Sequence, residues 1–259
     1  MVVADLHVHT TNSDGTLELD EVSAAAHEAG VSVVAITDHD RLHPDLPTPV
    51  AHLDGVTVVH GIELRVDAGD GHLDLLGYAV RPTDALVAKL DRLQTDRVER
   101  ARRMVELVEE REGVALDVSF EPGVGRPHVA RAIAESDAPY DVQGAFDHLI
   151  GDDGPCYVPR SVPDFETGRD LLSAACGLVG LAHPLRYDDP AAALAHCATL
   201  DAVEYHYDYG REVDRRPVAR AIEEHGLVVT GGSDAHGRTL GRAGLDREEY
   251  RAFRDRVRL

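Results

Sequence analysis

The sequence predicts an α/β protein built on a parallel sheet or barrel and interrupted by a helical insertion. Short, continuously apolar runs alternate with helical stretches, as strands covered on both faces require. Histidines and carboxylates gather at the ends of those runs. Between about residues 83 and 172 the alternation stops and helical patterns take over.

The elements follow in chain order. Val2–Leu6, Val31–Thr37, Val56–His60 and Leu73–Val80 read as buried strands, as do Leu178–Ala182, Ala202–Tyr205 and Leu227–Thr230. Helical periodicity runs from Leu19 to Ala29, stopped by Gly30, and from Val213 to His225, stopped by Gly226. A long helix spans Thr83 to about Gly113, with an apolar stripe at Leu86, Leu90, Leu93, Val98, Ala101, Val105 and Val108. Its stretch from Lys89 to Arg103 is locally basic, either a solvated face with i,i+4 pairs or a face attracting polyanions. Further helical patterns cover His128–Glu135 and Val142–Ile150, before a Pro/Gly-marked loop at Gly151–Pro163. The expected organisation is therefore a discontinuous barrel over 1–82 and 173–259, with a mainly helical insertion over 83–172 forming a substrate-side cap.

Composition narrows the function classes. The 259 residues carry 47 Asp+Glu against 26 Lys+Arg, a net charge of −21, and Lys89 is the one lysine. Such a chain lacks the basic footprint of a duplex-DNA binder. Its surface charge and scarcity of lysine suggest a protein adapted to high salt, from a halophilic archaeon, where self-repulsion is screened. No run approaches the length of a membrane-spanning helix, and Met1–Asp5 lacks the pattern of a signal peptide, so a cytoplasmic location without membrane partners is expected. Cys156, Cys176 and Cys197 form no C-x-x-C pair and read as buried thiols.

The chemistry lies at the strand ends. Asp5-Leu6-His7-Val8-His9 closes the first strand, and alternation points His7 and His9 the same way, as two ligands of one metal require. Ser13-Asp14-Gly15 follows. Further strands end in Thr37-Asp38-His39-Asp40, His60-Gly61-Ile62-Glu63, Ala182-His183-Pro184 and Ser233-Asp234-Ala235-His236. Barrel folds place catalytic groups at such ends. Imidazole with carboxylate and no thiolate suits Mn²⁺, Zn²⁺ or Fe²⁺.

The order H-x-H-x-x-x-x-D-G, T-D-H-D, G-x-E, A-H-P, S-D-A-H resembles the PHP (polymerase and histidinol phosphatase) family of metal-dependent phosphoesterases, over nearly the whole chain. The resemblance implies a distorted (β/α)7 TIM-like barrel with two or three divalent ions at its C-terminal mouth, Mn²⁺ foremost. Gly125-Arg126-Pro127-His128, Pro155-Cys156-Tyr157-Val158-Pro159-Arg160 and Ala182-His183-Pro184-Leu185-Arg186 resemble the branch that includes nucleoside 3′,5′-bisphosphate phosphatases and 5′→3′ exoribonucleases acting on short RNA. Arg41 and His43 depart from that branch, which usually has a small residue and a nearby glycine there.

Carried onto this chain, the resemblance implies one metal at His7, His9, Glu63 and Asp234, a second at Asp14, His39 and His236, and a third at Glu63, His72 and His183. Many members place a ligand histidine where Asp74 stands here. His72 lies on the same strand face and is the favoured ligand, with Asp74 as the alternative. Asp5, Asp38 and Asp40 are expected to orient imidazoles. Arg126, Arg160 and Arg186 are candidates for holding substrate phosphate, and His128 and His206 for protonating the leaving oxygen or binding phosphate.

Metal ions lower the pKa of a water held between them and clamp phosphoryl oxygens, and the sequence has no other recognisable nucleophile motif. The substrates implied are nucleoside 3′,5′-bisphosphates or 5′ ends of short RNA. Two alternatives stand beside them: another phosphomonoester such as histidinol phosphate, and a non-catalytic metal-binding regulatory module.

Overall fold

The computed structural model describes residues 1–258. The strands are β1 (Ala4–Val8), β2 (Val33–Ile36), β3 (Val50–Leu53), β4 (Val56–Asp67), β5 (His72–Tyr78), β6 (Leu178–Leu181), β7 (Ala202–Tyr207) and β8 (Val228–Gly232). The helices are α1 (Val22–Ala29), α2 (Asp84–Glu112), α3 (Arg126–Glu135), α4 (Val142–Ala145), α5 (Phe165–Ala175), α6 (Pro190–Ala195), α7 (Arg216–His225) and α8 (Arg247–Val257). Gly30 and Gly226 end α1 and α7 in the left-handed region, at φ 70° and 64°, as the sequence predicts.

The sheet runs β1-β2-β4-β5-β6-β7-β8, with β3 paired to β4 off that path. His9 N donates to Ala235 O at 2.9 Å and Ala235 N to His7 O at 3.2 Å. Those bonds bring the two ends of the path together into a nearly closed barrel. Neighbouring strand residues enter different cores. Val33 and Ala35 join Leu6, Val59, Leu76 and Tyr78 with Phe253 of α8, whereas Val34 and Ile36 join Val58 with Ala25 and Ala26 of α1. Apolar cover on both faces is why these strands read as unbroken apolar runs.

Two features differ from the parallel arrangement expected. β3 and β4 form an antiparallel pair, and β5 runs antiparallel to both β4 and β6. A buried strand is apolar in either direction, so the pattern carries no sign of its sense.

The chain divides into two compact units, 1–88 with 162–259, and 89–161. The expected insertion, 83–172, is longer because α5 reads as one more helix. In the structure α5 packs on the sheet of the first unit: Gly168 lies against Val66, and Leu172 against Gly77. The second unit has its own core, with Met104, Val105 and Val108 of α2 against Val129 and Ile133 of α3 and Leu149, Ile150 and Cys156.

Candidate metal centre

Most ligand candidates are delivered by a strand end or the turn after it, whereas Glu63 and Asp74 lie within strands. His7 lies in β1, and His9 follows it. Asp14 sits in a turn clasped by Asp38, whose Oδ1 accepts from Thr10 N (2.7 Å) and Ser13 Oγ (2.9 Å) and whose Oδ2 accepts from Thr10 Oγ1 and Asn12 Nδ2. Glu63 lies within the long β4. Asp234 and His183 take positive φ, 50° and 29°, a backbone strain that clusters at functional sites. β8 passes so close to β1 that a Cβ on Gly232 would meet His7 Cβ at 2.3 Å; only glycine permits this approach.

Three groups of donor atoms result, each within 4.8 Å: His7, His9, Glu63 and Asp234; His9, Asp14, His39 and His236; and Glu63, Asp74 and His183. The first two unite the residues expected for two metals, and His9 and Glu63 are shared between groups. In the third, Asp74 stands where His72 was favoured. His72 faces the same side but pairs with Asp67 at the far end of β5 and is exposed. Two residues of strand, about 7 Å, separate it from Asp74, and Ala182 N donates to Asp74 O at 3.0 Å, which brings Asp74 next to His183.

Burial and hydrogen bonding fit this set to cations. His7 Nδ1 is 3.0 Å from Glu204 Oε1, which leaves Nε2 for the cluster. His7 Nε2, His9 Nε2 and Glu63 Oε2 are buried without a well-directed hydrogen bond, though His39 Nδ1 comes within 2.9 Å of Glu63 Oε2. Such orphans are costly unless something else satisfies them. They also converge: Glu63 Oε2 lies 3.4 Å from His7 Nε2 and 3.3 Å from His9 Nε2, and Asp234 Oδ1 lies 3.2 Å from His9 Nε2.

The titration behaviour has the same cause. Burial opposes a charge on His9, but the Asp234 and Glu63 carboxylates outweigh it and push its pKa up to about 10. His7 is raised in the same way by Glu204, Asp234 and Glu63. Burial works against charge on Glu63, Asp14 and Asp234 as well, yet the neighbouring imidazoles hold all three well below the usual carboxylate range. The carboxylates are thus held as anions that demand cations, which protons or metal ions can supply.

Other expected residues are placed differently. Asp38 holds the 10–14 turn. Asp5 accepts from Ser233 N, Ser233 Oγ and Gly241 N, and Asp40 Oδ1 from Arg65 N. The partners of Asp5 and Asp40 in these bonds are main-chain N–H groups and the Ser233 hydroxyl, whereas the carboxylate behind the His7 imidazole is Glu204, which the sequence reading missed. Its one signal was a charged residue inside an apolar strand. His206 turns away: a bulge between Glu204 and His206 shifts the alternation, so His206 Nε2 meets Glu249 Oε1 of α8 at 2.7 Å. Tyr207 takes the inward place and donates to Asp234 Oδ2 at 2.9 Å. Arg186 reaches the same oxygen at 3.0 Å.

Arg126, His128 and Arg160 belong to the second unit. His128 Nδ1 accepts from Gly125 N at 3.1 Å at the start of α3. The Arg100 and Arg126 guanidinium carbons lie 5.6 and 5.8 Å from the Tyr157 ring centre, and Arg126 also pairs with Asp152 at 2.6 Å. Burial, with the charges of Arg126 and Arg160, pushes Arg100 down to about 10.

The PHP domain family profile matches residues 5–173. The chain is 29% identical over 260 residues to a 3′,5′-nucleoside bisphosphate phosphatase of Chromobacterium violaceum, covering 91% of this chain and 88% of that protein. It is 27% identical over 247 residues to a 5′-3′ exoribonuclease of Haemophilus influenzae, covering 90% and 89%. A crystal structure from Bifidobacterium adolescentis, 23% identical, superposes with a TM-score of 0.81 over 98% of this chain and 96% of that one, and supports the fold. No helix among the described residues is long and apolar enough to cross a membrane.

Proposed function

The chain belongs to the PHP domain family, and on that premise we propose that this metal-dependent phosphoesterase hydrolyses nucleoside 3′,5′-bisphosphates or the 5′ ends of short RNA. The observation that carries the reading is the convergence of buried imidazole and carboxylate atoms of His7, His9 and Glu63 that lack a well-directed hydrogen bond, in a chain similar along most of its length to a 3′,5′-nucleoside bisphosphate phosphatase and a 5′-3′ exoribonuclease.

His7, His9, Glu63 and Asp234 would hold one ion, His9, Asp14, His39 and His236 a second, and Glu63, Asp74 and His183 a third, with Mn²⁺ the ion proposed and Zn²⁺ or Fe²⁺ compatible with the donors. Bound divalent ions supply a water acidic enough to attack at neutral pH and a Lewis acid for the phosphoryl oxygens. The chain's own part is to fix and charge this set. Glu204 holds His7 so that Nε2 faces the cluster, and Tyr207 and Arg186 fix Asp234 Oδ2. Arg186, half exposed, has further guanidinium N–H groups to donate to a phosphate. Within the second unit, Arg100 lies in the field of the Arg126, Arg160 and Arg97 charges, and a phosphate bound beside it would offset that field.

The test is a side-by-side assay with Mn²⁺ of a nucleoside 3′,5′-bisphosphate, a 5′-phosphorylated trinucleotide RNA and histidinol phosphate. The expected result is a kcat/KM at least tenfold higher for one of the first two. A preference for histidinol phosphate contradicts the substrate assignment. Absence of turnover on any phosphate ester points to a metal-binding regulatory module.

A further inference from the structure

The three donor groups are not chemically equal. The first joins two imidazoles to two carboxylates and the second three imidazoles to one, whereas the third offers one imidazole, His183, and two carboxylates, Glu63 and Asp74. Glu63 is shared with the first group. Asp74 is therefore the carboxylate that belongs to the third group alone.

That carboxylate already has a cation. Arg65 Nε donates to Asp74 Oδ1 at 2.8 Å and Nη2 to Oδ2 at 2.7 Å. The fork is set by the sheet, because Arg65 on β4 and Asp74 on β5 are paired across the antiparallel ladder. The other side is fixed as well: Asp74 N donates to Tyr187 Oη at 2.9 Å, and Tyr187 Oη donates to Ala182 O at 3.2 Å. Oδ2, which takes the Nη2 bond, is also the oxygen 3.8 Å from His183 Nε2. Asp234 meets an arginine too, but through a single nitrogen of a side chain 53% exposed, against 33% for Arg65.

A guanidinium does not give up its proton in proteins. An ion approaching Asp74 must therefore settle beside a fixed positive charge where water screens little. A carboxylate oxygen accepting one hydrogen bond keeps a second lone pair, so the fork weakens metal binding without abolishing it. We propose that Glu63, Asp74 and His183 form a weak, exchangeable third metal position whose affinity is set by Arg65, while the other two positions bind tightly. Its oxygen-rich donor set favours a hard ion such as Mn²⁺ over Zn²⁺. The inference rests on the metal-centre reading above and goes beyond it by ranking the positions and naming the residue that ranks them.

The test strips the full-length protein of metal and titrates it with Mn²⁺ alone, counting free ions by their electron paramagnetic resonance signal. Wild type should take up two ions tightly and a third at least tenfold more weakly. Arg65→Gln removes the charge but keeps a hydrogen-bond donor, and it should tighten the third step at least tenfold with the first two unchanged. Arg65→Lys keeps the charge and should leave the third step weak. Three equally tight ions in wild type would overturn the inference without any variant. So would a third step in Arg65→Gln that stays the same or weakens, or an equal tightening in both variants. Two tight ions with a third step indifferent to Arg65 would sink this inference alone. A wild-type protein that binds no Mn²⁺ would sink the metal-centre reading with it.

Discussion

Glu204 acts on the centre through His7. Its Oε1 fixes the imidazole from behind, and its Oε2 accepts from His183 N at 2.8 Å, so one buried carboxylate positions parts of two donor groups. Glu204→Gln should therefore lower metal affinity about 10- to 100-fold, read by counting Mn²⁺ retained at fixed free metal. An unchanged affinity would mean that His7 is held by packing alone. His206 and His236 offer a contrast. His236→Ala removes a donor and should reduce hydrolysis by at least tenfold together with metal content, whereas His206→Ala breaks the contact to Glu249, away from the donor groups, and should cost about 1 kcal/mol of stability with metal content intact. Loss of bound metal in His206→Ala would refute that placement. Most ligands were legible because they stand at or just beyond the end of an apolar run; Asp74, inside the Leu73–Val80 run, was the exception. Glu204 sits inside such a run and Tyr207 beyond a bulge, and strict alternation assigns both badly.

At the scale of elements, the sense of β5 decides which residue serves the third group. Read as one more parallel strand, β5 gives no reason to prefer Asp74 over His72, which share a face. Run antiparallel beside β6, it sets Asp74 next to His183 and leaves His72 at the rim. Direction depends on long-range pairing, which an apolar pattern does not encode. The pairing of β4 with the 43–49 segment has its own consequence. His60 lies 3.0 Å from Leu46 O through Nδ1, and its Nε2 accepts from His43 N at 3.2 Å, an arrangement that requires the neutral ring. Burial pushes its pKa down from 6.5 to about 4. Between those values the unfolded chain binds the proton and the folded one does not. The stability from this ring is thus complete above about pH 6.5 and is lost as pH falls toward 4, up to about 3 kcal/mol in all. In urea unfolding with chelator present, His60→Gln should be less stable at pH 7 and show a shallower acid dependence by up to one proton. An identical slope in the two proteins would show that His60 titrates normally.

For the whole molecule, charge and chemistry make separate demands. A net charge of −21 opposes compaction, and salt shortens the range of that repulsion from about 10 Å at 0.1 M to about 3 Å at 1 M. The melting temperature should rise between about 0.1 M and 2 M KCl, and a flat or falling curve would contradict the reading of high-salt adaptation. The alternation of strands and helices was legible along most of the chain. The limits of the second unit were not, because α5 packs on the sheet while reading as one more helix of the insertion. Hydrolysis should depend on divalent ions held by the His/carboxylate set, since the sequence presents no other nucleophile motif. The most direct test of this dependence is phosphate release from a nucleoside 3′,5′-bisphosphate by protein dialysed exhaustively against chelator, then supplied with Mn²⁺. Activity should be lost on stripping and return on Mn²⁺ addition; full activity in the metal-free protein would rule out dependence on these ions.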